Sequence, residues 1–186
     1  VISQRVTAAC SEIDLPIPKV MVEPGRSIVG EAGVTLYTVG AVKDIPNVRR
    51  YAAVDGGMTD NPRVTLYQAV YEACLANKAA EEPRELVTIA GKCCESGDVL
   101  IKDILLPPVE PGDILAVFST GAYNYSMASN YNHLPKPAMI TVYRGMSDII
   151  VERETYADLV RLDRIPPRLA GSRRTAAGSV KSAAAR

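Results

Sequence analysis

The 186-residue sequence has no tryptophan, one phenylalanine and one histidine. A Ser-His-Asp or Cys-His constellation must place its imidazole beside a nucleophile and an orienting carboxylate, and only His133 could serve. His133 reads as a loop or surface residue. The four cysteines, Cys10, Cys74, Cys93 and Cys94, contain no C-x-x-C pair, so neither a zinc site nor a dithiol redox centre is expected, and no metal. No run approaches the roughly 20 apolar residues of a membrane helix. The opening VISQRVTAACS lacks the charged-then-apolar order of a secretory signal. A cytoplasmic protein without a membrane partner is expected. The sequence starts at Val1 rather than at a methionine, and a piece of a longer protein is expected.

What is present is the composition of a globular domain, 47% hydrophobic and 23% charged, which excludes collagen, mucin and coiled coil. The formal net charge of zero conceals an asymmetry. The last 21 residues hold Arg168, Arg173, Arg174, Lys181 and Arg186 and no acid, leaving sixteen bases against 21 acids in residues 1–165, a net of −5. An acidic body argues against a nucleic-acid partner. Past Pro166-Pro167 the chain is Ala, Gly, Ser and Arg, which cannot bury enough surface to offset its ordering entropy. Residues 166–186 are expected to form a disordered basic tail.

Between these limits the β signal dominates. Val34–Val42, Val48–Val54, Leu86–Ala90, Val99–Leu105, Ile114–Phe118 and Ala138–Tyr143 are rich in Val, Ile, Thr and Tyr and are separated by Gly, Pro, Asp or Asn. That is the pattern of an antiparallel sandwich or barrel. Residues 1–12 allow a short helix, Lys19–Val22 a brief strand, Thr65–Asn77 a longer helix and Thr155–Leu162 a short closing segment.

Four constellations can carry chemistry. Glu23-Pro24-Gly25-Arg26 places an acid and a base in one turn, where Gly25 admits close approach and Arg26 offers a planar fork to phosphate or carboxylate; a turn with a surface ion pair is the alternative. In Asp55–Arg63 (DGGMTDNPR) a glycine-rich loop opens a helix on which Arg63 and Tyr67, four apart, share a face and could hold an anion. Gly91–Asp98 (GKCCESGD) presents a thiol beside a carboxylate, suited to moving a proton and receiving an ammonium. A vicinal disulfide or a buried cysteine pair remain open there. Gly121–Asn132 (GAYNYSMASNYN) has three tyrosines in a chain poor in other aromatics, as if chosen for their hydroxyls, although packing of a loop would also use them.

In order and spacing, EPGRSIVG, DGGMTDNPR with Tyr67, GKCCESGD and GAYNYSMASNYN resemble the C-terminal part of the diaminopimelate decarboxylases, pyridoxal-phosphate enzymes of lysine biosynthesis. The resemblance covers about residues 1–165. It implies a mainly β fold, the C-terminal β-sandwich or barrel domain of a β/α-barrel decarboxylase. Residues 1–27 would be the last barrel helix and strand, and 28–165 the sandwich. It implies that Glu23 faces the pyridinium nitrogen of the cofactor, that the Glu23-Pro24-Gly25-Arg26 turn lies near its phosphate and that Arg26 reaches a substrate carboxylate. Arg63 and Tyr67 would bind the distal carboxylate, Glu95 the distal ammonium, and Tyr123 both cofactor and substrate. Cys94 would be the catalytic proton donor, acting in the site of a neighbouring subunit of a homodimer. Val64 departs from the family's usual proline, and Asn124-Tyr125-Ser126 from its Gly-Tyr-x-Ser step. The family's Schiff-base lysine has no counterpart among the seven lysines here, so the chain is expected to be inactive alone. Two other readings remain, a non-catalytic dimerisation or binding module of the same fold, and a decarboxylase acting on ornithine, arginine or carboxynorspermidine. The latter substrates lack the second carboxylate that Arg63 would meet.

Overall fold

The computed structural model describes residues 1–169; beyond its first four positions, the expected basic tail lies outside them. The chain forms two compact units, Val1–Pro137 and the segment from Ala138 onward. The first begins with helix α1 (Ile2–Glu12) and the one-turn helix α2 (Arg26–Val29). Its body is a six-stranded sheet of β1 (Thr35–Ile45), β2 (Arg49–Val54), β3 (Ala73–Leu75), β4 (Glu85–Ala90), β5 (Val99–Leu106) and β6 (Ile114–Val117), in the order β3-β6-β1-β2-β4-β5. Edge strands β3 and β5 approach each other, curling the sheet nearly into a barrel. The mainly β expectation holds, and six of the seven expected strands form, the last as β7 (Met139–Tyr143) in the second unit.

Alternation explains the curl. In β1, Tyr37 and Val39 point inward between exposed neighbours, and Val54, Leu75, Val87, Ile89, Leu115 and Val117 meet them in one buried core. A bulge between Val39 and Val42 strengthens the local twist.

Three expectations are corrected. First, β2 and β4 run parallel, whereas the turn-rich pattern implied antiparallel pairing throughout. Both strands therefore end at the same side of the sheet and release loops 55–62 and 91–98 next to each other. The Lys92 N–H donates to the Gly56 carbonyl at 2.9 Å. Second, Thr65–Asn77 is not one helix. Helix α3 (Arg63–Tyr67) stops after about a turn because Gln68 enters the left-handed region at φ 52°. The chain then forms β3, in which Cys74 and Leu75 pair with Ala116 and Leu115 of β6. Without β3 the outer edge of β6 would present unpaired backbone groups, and tertiary pairing overrides helical propensity. Third, Lys19–Val22 forms no strand ladder, because a strand needs a partner and none of the described strands runs beside it.

The second unit is a hairpin of β7 and β8 (Met146–Val151) followed by α4 (Tyr156–Val160). The sequence pattern did not single out β8. Its hairpin turn places Arg144 and Gly145 both at positive φ, the geometry that suits a two-residue connection. Helix α4 carries a capping box, with Thr155 and Asp158 each bonding the other's backbone.

Candidate functional site

Loops 55–62, 91–98 and 119–124 leave β2, β4 and β6 at one end of the first unit, where Arg26 also lies. Arg26 Nη2 donates to the Ser119 carbonyl at 2.9 Å, and its guanidinium sits 5.7 Å from the centre of the Tyr71 ring. Arg63, at the start of α3, lies 5.2 Å from the centre of the Tyr67 ring and 5.6 Å from that of Tyr123. Arg63 and Tyr67 thus share a face, as their spacing predicts. Two buried donors of these side chains, Arg26 Nη1 and Arg63 Nε, have no hydrogen-bond partner. Among the described residues neither guanidinium forms an ion pair.

Tyr123 joins the two arginines' surroundings. It is held at φ 63° and is 46% exposed, an uncommon conformation for a bulky residue, of the kind that persists where surrounding structure fixes it. Its hydroxyl occupies the place a Cβ would take on Gly25, so a side chain at position 25 would evict the phenol. Glu23 and Pro24, just before, are exposed. Arg26, Arg63, Tyr67, Tyr123 and Gly25 are therefore brought together, while among the described residues Glu23 makes no hydrogen bond, ion pair or ring contact with them.

The thiol loop is arranged differently. Cys93 is 8% exposed and Cys94 is open to solvent, so the adjacent thiols leave on opposite sides. Burial, and then a hydrogen bond to Asp98, push the Cys93 thiol above its ordinary pKa. The Cys94 N–H donates to Asn132 Oδ1 at 2.7 Å, and Asn132 is itself at φ 55°. Glu95 Oε1 accepts from the Gly97 N–H at 3.2 Å and the Ser96 hydroxyl at 3.3 Å. Among the described residues no hydrogen bond, ion pair or ring contact links Cys94 or Glu95 to Arg26, Arg63, Tyr67 or Tyr123.

Beneath the loops lie residues that sequence reasoning missed. Asp98, 4% exposed, accepts from the Met58 N–H through Oδ1 and from the Cys93 N–H through Oδ2, both at 2.7 Å. Asp60 accepts from the Gly57 N–H at 2.8 Å and, through Oδ2, from the buried Tyr37 hydroxyl. Burial raises the Asp60 carboxyl above its ordinary range, against the hydrogen bonds from Tyr37, Gly57 and Thr59, which lower it. Burial and then the Asp60 charge push the Tyr37 phenol up as well. No group of three or more His, Cys, Asp or Glu side chains suited to a metal occurs among the described residues. No helix there is long and apolar enough to cross a membrane.

The chain is similar to the diaminopimelate decarboxylase of Synechocystis sp., 56% identical over 164 residues, which cover 88% of this chain and 35% of that protein. For the Bacillus subtilis enzyme of the same name the identity is 57% over 162 residues, 87% of this chain and 37% of that one. Among solved structures, diaminopimelate decarboxylase from M. jannaschii in co-complex with L-lysine superposes with a TM-score of 0.75 at 39% identity, covering 88% of this chain and 37% of its own. The chain thus spans about a third of the length of the relatives it matches. Residues 7–121 match the model described as pyridoxal-dependent decarboxylase, C-terminal sheet domain, and the chain belongs to that family.

Proposed function

We propose that this chain is the C-terminal region of a diaminopimelate decarboxylase, which removes one carboxyl group of meso-2,6-diaminopimelate as CO2 to leave L-lysine with the help of pyridoxal phosphate. One observation carries the reading: two half-buried guanidiniums, Arg26 against Tyr71 and Arg63 against Tyr67 and Tyr123, keep unpaired buried N–H donors, Arg26 Nη1 and Arg63 Nε, and form no ion pair with a carboxylate among the described residues. Such donors are costly unless an anionic ligand or water completes them.

The cofactor and the substrate both carry anions, so the residues fit the group the family implies. When bound, pyridoxal phosphate supplies an electron sink for the pair left by departing CO2. Glu23 would hold the proton on the ring nitrogen, the Gly25-Arg26 turn and Tyr123 would hold the cofactor in place, and Arg26 would also meet a substrate carboxylate. Arg63, backed by Tyr67, would take the distal carboxylate in a two-pronged grip, and Glu95 would accept the distal ammonium. A ligand missing either group leaves a charged partner unpaired, which is a strong basis for rejection. Cys94 Sγ would deliver the proton that replaces the carboxyl group.

The open position of Cys94 and Glu95, without a link to the arginine cluster, supports their service in the site of a neighbouring subunit. We therefore read the functional form as a homodimer with shared sites. The 28–165 sandwich would follow a barrel end formed by residues 1–27, in a cytoplasmic enzyme. Decarboxylation of meso-diaminopimelate by the full-length protein carrying this region is the test. Mixing its Cys94→Ala and Arg63→Ala variants should restore part of the activity through heterodimers with one intact site. No turnover of this substrate by the parent protein would overturn the reading, and no recovery despite verified subunit exchange would overturn the shared site. The 186 residues alone, without the lysine that anchors the cofactor in the family, are expected to release no CO2.

A further inference from the structure

We propose that Asp98 is a positioning residue that locks the loop leading to Arg63 to the loop carrying Cys94 and Glu95, so that substrate grip and proton delivery share one buried carboxylate. The inference rests on the roles proposed above for Arg63 and Cys94. Asp98 is 4% exposed and has no cationic partner among the described residues. A carboxylate stripped of water is strongly disfavoured unless hydrogen bonds replace the lost hydration. Its two oxygens divide that task between two loops. Oδ1 accepts from the Met58 N–H and Oδ2 from the Cys93 N–H, each at 2.7 Å, within the range of charge-assisted bonds.

The sequence clears space for this carboxylate twice. A Cβ on Gly57, in the first loop, would collide with it, and so would a Cβ on Gly91, in the second. Glycine at both positions lets two backbones close on one side chain from either side. The Met58 bond fixes the chain five residues before Arg63. The Cys93 bond fixes the residue next to Cys94, whose own N–H is held by Asn132. The Thr65 hydroxyl, on the helix that Arg63 opens, adds a bond to the Gly97 carbonyl at 3.3 Å. Movement of either loop therefore pulls on the other through Asp98.

The experiment has two readouts. In the 186-residue chain, Asp98→Asn keeps the size but replaces one acceptor by an NH2 group that faces an N–H donor. Amide hydrogen exchange at Met58 and Cys93 should then rise together, by roughly ten- to a hundredfold, while Ile89 and Leu115 stay protected. Gly91→Ala, which keeps the carboxylate but crowds it from the thiol loop, should raise exchange at Met58 across the gap. In the full-length enzyme Asp98→Asn should raise KM and lower kcat together, whereas Arg63→Lys acts mainly on KM and Cys94→Ala mainly on kcat. A gain in exchange confined to one loop overturns the lock, as does a folded Asp98→Asn enzyme with unchanged KM and kcat. If Arg63→Lys and Cys94→Ala change neither constant, the roles assigned to those residues fail, and the exchange data still decide whether Asp98 joins the loops. Should Asp98→Asn not fold, Gly91→Ala decides alone: no change at Met58 overturns the proposal.

Discussion

At the end of the sheet where β3 gives way to Ala76–Lys78 and β6 begins, buried charge is matched by charge. Lys78 Nζ lies 2.9 Å from Asp113 and 3.0 Å from Glu110, and Asn77 Nδ2 donates to Asp113 at 2.7 Å. Arg50 bridges Asp44 and Glu85 on the same side. At the opposite end, where β2, β4 and β6 release their loops, Asp60 and Asp98 are held by a phenol and backbone amides, and Arg26 and Arg63 keep unpaired donors. The first end pairs its cations with carboxylates, although Arg50 Nε, 3.1 Å from Glu85, makes no well-aligned hydrogen bond. The second leaves acid and base apart, which costs stability and leaves the cations free for a ligand.

The contrast fails first if the exposed thiol loop is inert. In the full-length enzyme Cys94→Ala should lower kcat by about 10² to 10⁴, the usual share of a general acid. Cys93→Ala, at a buried position, should cost melting temperature with little loss of turnover. Equal kinetic damage from both would remove the division of labour between the thiols. Next in size, Arg63→Lys should raise KM for diaminopimelate by roughly ten- to a hundredfold, because an ammonium keeps the charge but not the planar two-pronged fit. Unchanged steady-state constants would make Arg63 structural and the two ends of the sheet alike.

Asp113→Ala is the converse. It should lower the thermal midpoint of the 186-residue chain by several degrees, leaving Lys78 without its buried partner, yet leave kcat and KM of the folded full-length enzyme unchanged. A kinetic effect with no loss of stability would contradict its assignment to the structural end.

The smallest effect sharpens the comparison by its sign. Burial works to raise the Asp113 carboxyl, but bonds from Asn77, the Glu110 N–H and Lys78 outweigh it and hold the group below its ordinary range. Its contribution to stability is therefore present above the unfolded pKa and lost as pH falls through the folded one. Asp60 is raised by burial, so its contribution is present below the unfolded pKa and lost as pH rises through the folded value. Between about pH 4 and 7, where carboxylates with ordinary or raised pKa values titrate, the melting temperature of Asp60→Asn relative to the parent should climb with pH. That of Asp113→Asn should not climb. Parallel trends would show that the two carboxylates lie in equivalent surroundings.

The strands were legible because their alternation is set by one buried face: Tyr37 and Val39, or Val87 and Ile89, declare the core through residue type. Strand β3 was hidden because Leu66, Val70, Cys74 and Leu75 fit a helical period as well as an edge strand, and what decides is the need of β6 for a neighbour. Strand β8 was missed because Asp148 and adjacent Ile149-Ile150 break the alternation, and Arg-Gly is a weaker turn signal than Asn-Gly. Among the site candidates, the shared face of Arg63 and Tyr67 followed from their spacing. The approach of Tyr123 to Gly25 did not, since 98 positions separate them. Asp98 ended a motif already singled out, but nothing local marks an acid as buried. The available signal was Gly57 and Gly91, two glycines for which no turn accounts by itself.

Parallel neighbours such as β2 and β4 cannot be joined by a tight turn; the chain must travel back to the starting side before it can run the same way again, over a dozen residues or more. Residues 55–84 make that return journey, and Arg63, Tyr67 and β3 ride on it. The segment is thus a compulsory route as well as a carrier of function, and it resists shortening for reasons unrelated to chemistry. Lengthening is another matter, since Ala79–Pro83 runs exposed between the Ala76–Lys78 turn and β4. Variation in length along this stretch should accumulate there, leaving the portion between Asp55 and Leu75 at a fixed span.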